Sequence, residues 1–425
     1  MRTFHRILAI VTVLLMLYLG VTGTAMQLID MVALATHQPD NAADIASINE
    51  GRYGNGSIHV ITDGDLVAAP LPAGVDYNQA FAAVLQDLHK AAPGAQPRFV
   101  ELRQVDGRTI GQVDLGAKPP APGEHAGPPS GPPRPGFRRG GPGQFFMRDT
   151  HIYKAFDLQT GAPVKPVVEG ELHLPPSARE TLKEWHRFWQ GRDTPGVWYE
   201  LGSGILLWSL IITGLWQYFQ LLAARRKIGR EQLFWMGGGV WKSLHRIISV
   251  TAAVFLICIA FSGTWLGFES VYHTFSAPKG GEKDVTEPLG DAQVLQIVGQ
   301  TVTALKTLEP GAPIKVLRAR HWGGMNQGGV VLGGAHTRQV LINADTGKIA
   351  SLTEAGYPNS GFPWGTERHE NIKHFHSGMM LGWAGRIGNL IGGLSLIYLS
   401  ISGIIMYVDL WLRRRKGGKK VLFWV

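Results

Sequence analysis

Phe4-His5-Arg6-Ile7, near the start of the chain, returns as Leu244-His245-Arg246-Ile247, and each tetrapeptide opens a long apolar run. The two runs close on Thr22-Gly23-Thr24 and Ser262-Gly263-Thr264. The offset is 240 residues at both ends, so the segments align without a gap. Reading them as one helix used twice decides the fold. The molecule is two similar halves, and each half carries a histidine at the same depth of an equivalent span.

The 425-residue chain holds four stretches that reach the roughly 20 apolar residues needed to cross a bilayer: 7–29, 197–222, 247–268 and 387–412. A cleaved signal peptide is the competing reading of the first, because Gly23-Thr24-Ala25 offers small residues. Its counterpart lies mid-chain and can only be a span, so the first is read as a retained anchor. Basic residues flank the spans on one side. They are Arg2 and Arg6, then Arg225-Arg226-Lys227 and Arg230, then Arg413-Arg414-Arg415-Lys416 with Lys419-Lys420. Such residues stay in the cytoplasm. Both termini are therefore expected inside, and the two large intervening regions outside, which in a bacterium is the periplasm. The net charge of +9 comes largely from these tethers, so no nucleic-acid partner is expected. Cys258, inside the third span, is the only cysteine, which excludes disulfides and thiolate metal sites within one chain.

The duplication continues outside the spans. Residues 76–92 read as a helix with Phe81, Val84, Leu85 and Leu88 on one face, ending in Pro93-Gly94-Ala95. Residues 291–308 have the same character and end in Pro310-Gly311-Ala312, at an offset of 217. A strand-like run, 151–156, leads into Asp157-Leu158-Gln159-Thr160-Gly161; its counterpart, 339–343, leads into Asp345-Thr346-Gly347, at an offset of 186. Asp, Asn and Gly at such places join antiparallel strands. The offset falls by 31 between these landmarks, and the interval contains 116–143, a stretch dominated by Pro and Gly. That stretch cannot bury apolar surface and reads as a solvated insert, with Arg134, Arg138 and Arg139 as incidental charge. Each outer region is thus expected to be a small α+β domain. The second spans correspond as well, Ile212-Thr213-Gly214-Leu215 matching Ile401-Ser402-Gly403-Ile404 at an offset of 189. Both halves enter the membrane in the same direction, as in parallel-repeat membrane proteins.

Two histidine pairs stand out among fifteen. His5 and His245 begin the first and third spans at the cytoplasmic edge. His186 precedes the second span, and His376 precedes the fourth at an offset of 190. The slip of one residue against 189 leaves His374 as an alternative partner of His186. Two symmetry-related imidazoles can grip one planar macrocycle from both faces, and haem iron takes two such axial ligands. The expected cofactor is haem b, one or two per chain. Covalent attachment is excluded because no Cys-x-x-Cys-His occurs. A transition-metal site at His369, His374 and His376 is the competing reading. Arg386 lies deep enough in the fourth span to need an interior partner. A haem propionate and Glu200 are both candidates. The span glycines (Gly202, Gly204, Gly385, Gly388, Gly392 and Gly393) either let helices approach or clear space beside a flat cofactor. From His376 to Gly403 is 27 residues. That is about 40 Å of straight helix, so a kink near Gly382 or Gly385 is expected to bring the two membrane faces closer.

The chain resembles the PepSY-associated transmembrane family of bacterial inner-membrane proteins over nearly its whole length. The resemblance rests on the Leu-His-Arg openings, with Phe4 replacing Leu in the first. It also rests on His376-Ser377-Gly378 followed by Gly385-Arg386, on the Thr/Ser-Gly near each span end, and on two Asp…Thr-Gly hairpins. The Pro/Gly insert is a departure, and the second PepSY-like domain is short. The resemblance implies a fold of four transmembrane helices in two parallel repeats, each enclosing a periplasmic PepSY-like α+β domain. On this reading residues 1–29 are the first span and 30–195 a periplasmic domain carrying the insert 116–143. The second span is 196–222, and 223–243 is a cytoplasmic loop. Residues 244–269 are the third span and 270–373 the second periplasmic domain. The fourth span with a periplasmic extension is 374–412, and 413–425 is a cytoplasmic tail.

Some relatives are ferric-siderophore reductases, which implies His5, His245, His186 and His376 as haem-iron ligands; His374 and Arg386 are the further cofactor candidates from the reading of the residues themselves. The expected activity is reduction of a ferric siderophore outside the membrane. No Gly-x-Gly-x-x-Gly follows a strand, so the electron donor is expected to be a separate cytoplasmic flavoprotein or membrane quinol. The rival expectation is a non-redox module, anchored in the bilayer, that docks or senses a periplasmic protein or peptide.

Overall fold

The computed structural model describes residues 2–49, 63–117, 151–167, 174–189, 195–276, 286–322, 324–350 and 363–418. The insert 116–143, with its three arginines, lies outside the described residues from position 118 onward. The chain runs α1 (Arg2–Ala35), α2 (Ala43–Ile48), α3 (Asp63–Val67), α4 (Tyr77–Ala91), β1 (Phe99–Val105) and β2 (Arg108–Ala117). It continues with β3 (His151–Asp157), β4 (Pro163–Val164), α5 (Ala178–His186) and α6 (Gly196–Arg226). A similar order follows: α7 (Val240–Thr251), α8 (Ala253–Ser276), β5 (Thr286–Glu287), α9 (Asp291–Leu308), β6 (Ile314–Trp322), β7 (Met325–Leu332), β8 (Arg338–Asn343) and β9 (Lys348–Ile349). The last two helices are α10 (Thr366–His376) and α11 (Gly382–Lys416).

Among the described residues four helical segments are long and apolar enough to cross a membrane: Thr3–Ala35, Gly196–Arg226, Ala253–Ser276 and Met379–Lys416. On α1 the apolar residues Val11, Leu14, Val21, Leu28 and Val32 are exposed at helical spacing, whereas Thr12, Met16, Thr22 and Asp30 are buried. Such a sidedness suits lipid on one face and protein on the other. Met16, Leu207, Ala252, Leu256, Ala260 and Leu396 fill the bundle interior. Glycine permits the closest helix contacts. A Cβ at Gly267 would lie 2.8 Å from the Leu201 backbone, and one at Gly388 would lie 3.0 Å from the Phe255 ring.

Helix α1 continues to Ala35, beyond the apolar run that stops at 29. Asp30 explains the extension, since it is buried and paired rather than marking a solvated end. The fourth span departs further from a continuous helix. Gly378 and Gly382, at φ 75° and 57°, bracket a 3-10 turn, Met379–Leu381, that separates α10 from α11. Only glycine fits at Gly378, where a Cβ would sit 2.5 Å from the Gly385 carbonyl oxygen. The reversal folds α10 back, and Asn389 Nδ2 donates to the His376 carbonyl at 2.6 Å.

The described strands form one antiparallel sheet of nine, in the order β4-β3-β2-β1-β6-β7-β8-β9, with β5 pairing β6 beyond the end of β1. The two outer regions are therefore not separate, because β1 and β6 pair edge to edge. Helices α4 and α9 cover one face, burying Val100, Leu102, Val113, Leu317, Ala319, Val330, Leu332, Val340 and Ile342. Val84 on α4 packs on Gly111, and Thr301 on α9 packs on Gly328, both at the offset of 217. The Asp157 carboxylate accepts the Gln159 and Thr160 amides, and the Asn343 side chain accepts those of Asp345 and Thr346. These Asx turns close the two hairpins.

At the same offset residue 101 corresponds to residue 318, and these two face each other across β1 and β6. They carry opposite charge. Arg318 Nε donates to Glu101 Oε2 at 2.8 Å, Arg318 also binds Asp65 on α3, and Arg103 binds both acids. All four side chains are buried. Burial works against the charge on Arg318, but Asp65 and Glu101 outweigh it and raise its pKa. The β1–β6 junction thus rests on a neutral set of two acids and two bases. Removing one member of such a set typically costs about 3–5 kcal/mol, whereas removing a balanced pair costs far less. Arg318→Met is expected to destabilise the full chain by about that amount, and Glu101→Leu with Arg318→Leu to recover most of it. Equilibrium unfolding in detergent micelles reads the difference, and equal losses in both variants would contradict the pairing.

Candidate functional site

The four histidines at the span ends occupy one kind of seat. His5 Nδ1 meets Thr213 Oγ1 at 2.7 Å, and His245 Nδ1 meets Ser402 Oγ at 2.7 Å. His186 Nδ1 meets Thr22 Oγ1 at 2.9 Å, and His376 Nδ1 meets Ser262 Oγ at 2.8 Å. The contacts are reciprocal within each half. The first span gives its histidine to the second span at one end and takes the second's histidine at the other; the third and fourth spans do the same.

These hydroxyls fix the tautomer. Thr22 donates its own proton to the Tyr18 carbonyl at 2.9 Å, Thr213 to Ser209 at 2.6 Å, Ser262 to Cys258 at 2.7 Å and Ser402 to Leu399 at 3.2 Å. Back-bonding of this kind is common for Ser and Thr in helices. A hydroxyl that has spent its proton can only accept, so each imidazole must donate from Nδ1. The Nε2 lone pair is then the one available to a ligand, the form in which histidine binds metals. The glycine after the hydroxyl residue makes room for the ring. A Cβ would lie 3.2 Å from the His186 Cε1 at Gly23, 3.3 Å from that of His376 at Gly263, and 3.4 Å from that of His5 at Gly214. In the sequence these Thr/Ser-Gly pairs serve only as marks of duplication. Four of them, each at the opposite end of a span from a histidine, were the available signal of the seats.

The seats bring the histidines together in twos. His186 and His376 face each other with ring centroids 6.4 Å apart and planes inclined by 44°. Of His374 and His376, it is the His376 ring that lies beside that of His186. His374 points instead along its own helix, with Nε2 4.0 Å from Glu370 Oε2. At the end nearer the chain termini, His245 lies within electrostatic reach of His5. The two levels are 17 residues apart on α1, from His5 to Thr22, or about 25 Å. The reversal at Gly378 sets His376 at the level of Asn389, which removes the 40 Å separation that a straight helix would impose.

Arg386 has a partner that neither sequence candidate anticipates. Its Nη1 lies 3.0 Å from Asp30 Oδ2, and Arg179 Nε donates to the other Asp30 oxygen at 2.6 Å. Asp30 sits just past the apolar run, where sequence reasoning ends the span. Glu200 lies near Arg187 and Ser270 instead. His369 Nδ1 is 2.8 Å from the buried Glu269 carboxylate. Among the described residues, no group of three or more His, Cys, Asp or Glu is arranged to hold a metal ion. That finding goes against a cluster at His369, His374 and His376, while two-imidazole pairs fall below such a count.

With this arrangement in view the chain can be assigned to a class: a multi-pass membrane protein with an α+β extramembrane part. It matches the family described as PepSY-associated TM region over residues 2–414, and it belongs to that family. A search of curated proteins finds none that matches it.

Burial pushes the His186 imidazole down to about 3, with His376 and Arg187 adding to the shift, and burial pushes His376 down to about 4. Both are neutral at pH 7. A depressed histidine pKa means that the unfolded chain binds more protons below about 6.5, so stability falls as pH drops from there toward 4 and is flat above 7. Melting temperature of the ligand-free chain in detergent is expected to fall between pH 6.5 and 5, and His376→Gln to reduce that slope. An unchanged slope would contradict the assignment.

Proposed function

We propose that this chain is a bacterial inner-membrane haem protein of two parallel repeats that carries electrons outward and reduces ferric siderophores in the periplasm. The observation that supports it most is the facing pair His186 and His376. Their ring centroids are 6.4 Å apart, and with Nδ1 of each ring committed to a hydroxyl, these two residues would hold the haem iron between them through their Nε2 lone pairs. His5 and His245 are the second pair, so two b-type haems per chain are expected, one near each membrane face. When bound, haem b supplies reversible one-electron exchange at iron.

The chain's own residues supply the rest. Thr22, Thr213, Ser262 and Ser402 hold the imidazoles in the binding tautomer. Met16, Leu207, Leu256 and Leu396 keep water out of the bundle between the two levels. The basic flanks support a cytoplasmic side for both termini, with a flavoprotein there, or quinol from the bilayer, as the electron source. The sheet domain then stands in the periplasm. Iron leaves the siderophore on reduction because hard oxygen donors hold the ferric ion better than the ferrous one.

Absorbance of the purified full chain tests the proposal. After haem-supplemented expression the expected spectrum has a Soret band that shifts on adding dithionite, and its intensity falls by about half in the double variant His5→Ala with His245→Ala. A colourless wild-type protein would refute the proposal.

A further inference from the structure

We propose that two acid–base pairs, Asp30 with Arg179 and Glu269 with His369, are the positioning residues that hold His186 and His376 face to face; this rests on the haem reading above. Arg179 precedes His186 by seven residues on α5, and His369 precedes His376 by seven on α10. Seven residues are two helical turns, so base and histidine lie on one face of each helix. That face meets a span of the same half. On α1, Thr22 takes His186 and Asp30, eight residues on, takes Arg179 at 2.6 Å. On α8, Ser262 takes His376 and Glu269, seven residues on, takes His369 at 2.8 Å. Each short helix thus meets its span at two levels, or rungs, about 10 Å apart: one at the imidazole, where the Trp185 carbonyl of α5 also accepts from Tyr18 Oη at 2.6 Å, and one beyond it.

Two rungs do what one cannot. The imidazole bond and the bonds beside it, from Tyr18 to the Trp185 carbonyl and from Asn389 to the His376 carbonyl, all act at the histidine end, so a helix held there alone can pivot and swing Nε2 away from its opposite number. The second rung removes that freedom. In both halves it joins a buried acid to a base, with Asp30 and Glu269 buried from solvent. The Asp30 rung is also tied to α11 through Arg386. Neither Glu269 nor His369 belongs to the facing pair itself, so their effect on it is indirect.

Electron paramagnetic resonance of the oxidised, haem-loaded full chain in detergent separates the outcomes, with melting temperature recorded alongside. Wild type is expected to show two low-spin signals. In Glu269→Ala, the signal that His376→Ala abolishes is expected to lose at least half its intensity to a high-spin form, while the other is unchanged. Glu269→Gln, whose side-chain oxygen still accepts from His369, is expected to restore it. If Glu269→Ala is not recovered folded, His369→Ala removes the same rung from the other side and carries the same expectation. Two intact low-spin signals in both rung variants would overturn the positioning role while leaving the haem reading in place. Equal loss of both signals would also overturn it, because that reports general unfolding. A wild type without haem signals refutes the haem reading itself, and the positioning role with it.

Discussion

Each functional feature of the membrane part depends on one hydrogen bond made four times, from an imidazole Nδ1 to a hydroxyl whose own proton is already committed to its helix. That bond chooses the tautomer, aims Nε2 and joins two antiparallel helices. It operates where water is scarce, so an alternative partner for either group is hard to find, and a buried polar group without a partner is costly. The glycine beside each hydroxyl residue belongs to the same device, since a side chain there would crowd the ring at three of the four seats. Loss of any one hydroxyl would release one ring from its tautomer and loosen one end of a helix pair.

The extramembrane part solves a different problem with a related economy. Two α/β units that would expose β1 and β6 as sheet edges instead cover one another's there, which leaves only the two-residue strands β4 and β9 at the ends of the described sheet. The junction falls where one half has Glu101 and the other Arg318. Identical residues there would have placed like charges opposite each other. The exchange of sign turns the same position into an ion pair, and Asp65 with Arg103 extends it into a buried set of four that is still neutral.

Much of this was legible in the sequence, and what was missed has a common cause. Offsets of 240, 217 and 189 report which residues are equivalent, and with an offset of 190 for His186 and His376 they single out the spans and the four histidines. Equivalence does not report contact. The Thr/Ser-Gly pairs were visible as repeated marks, yet their role follows only from seeing span one against span two. The edge pairing of β1 with β6 was hidden for the same reason, because a strand's pattern shows which face is apolar and not which neighbour lies beside it. Asp30 was lost because a charged residue ends an apolar run in composition, whereas in the fold it is buried between Arg179 and Arg386. The turn at Gly378 was expected only as a kink further along. A reversal there needs φ 75° and the close approach of the Gly385 carbonyl, and neither shows in a hydropathy profile.

Iron anomalous scattering from crystals of the haem-supplemented protein tests the central claim most directly. The account predicts two peaks per chain, one between the Nε2 atoms of His186 and His376 and one between those of His5 and His245. Iron bound elsewhere, or bound through Nδ1 with the hydroxyl contacts broken, would contradict it.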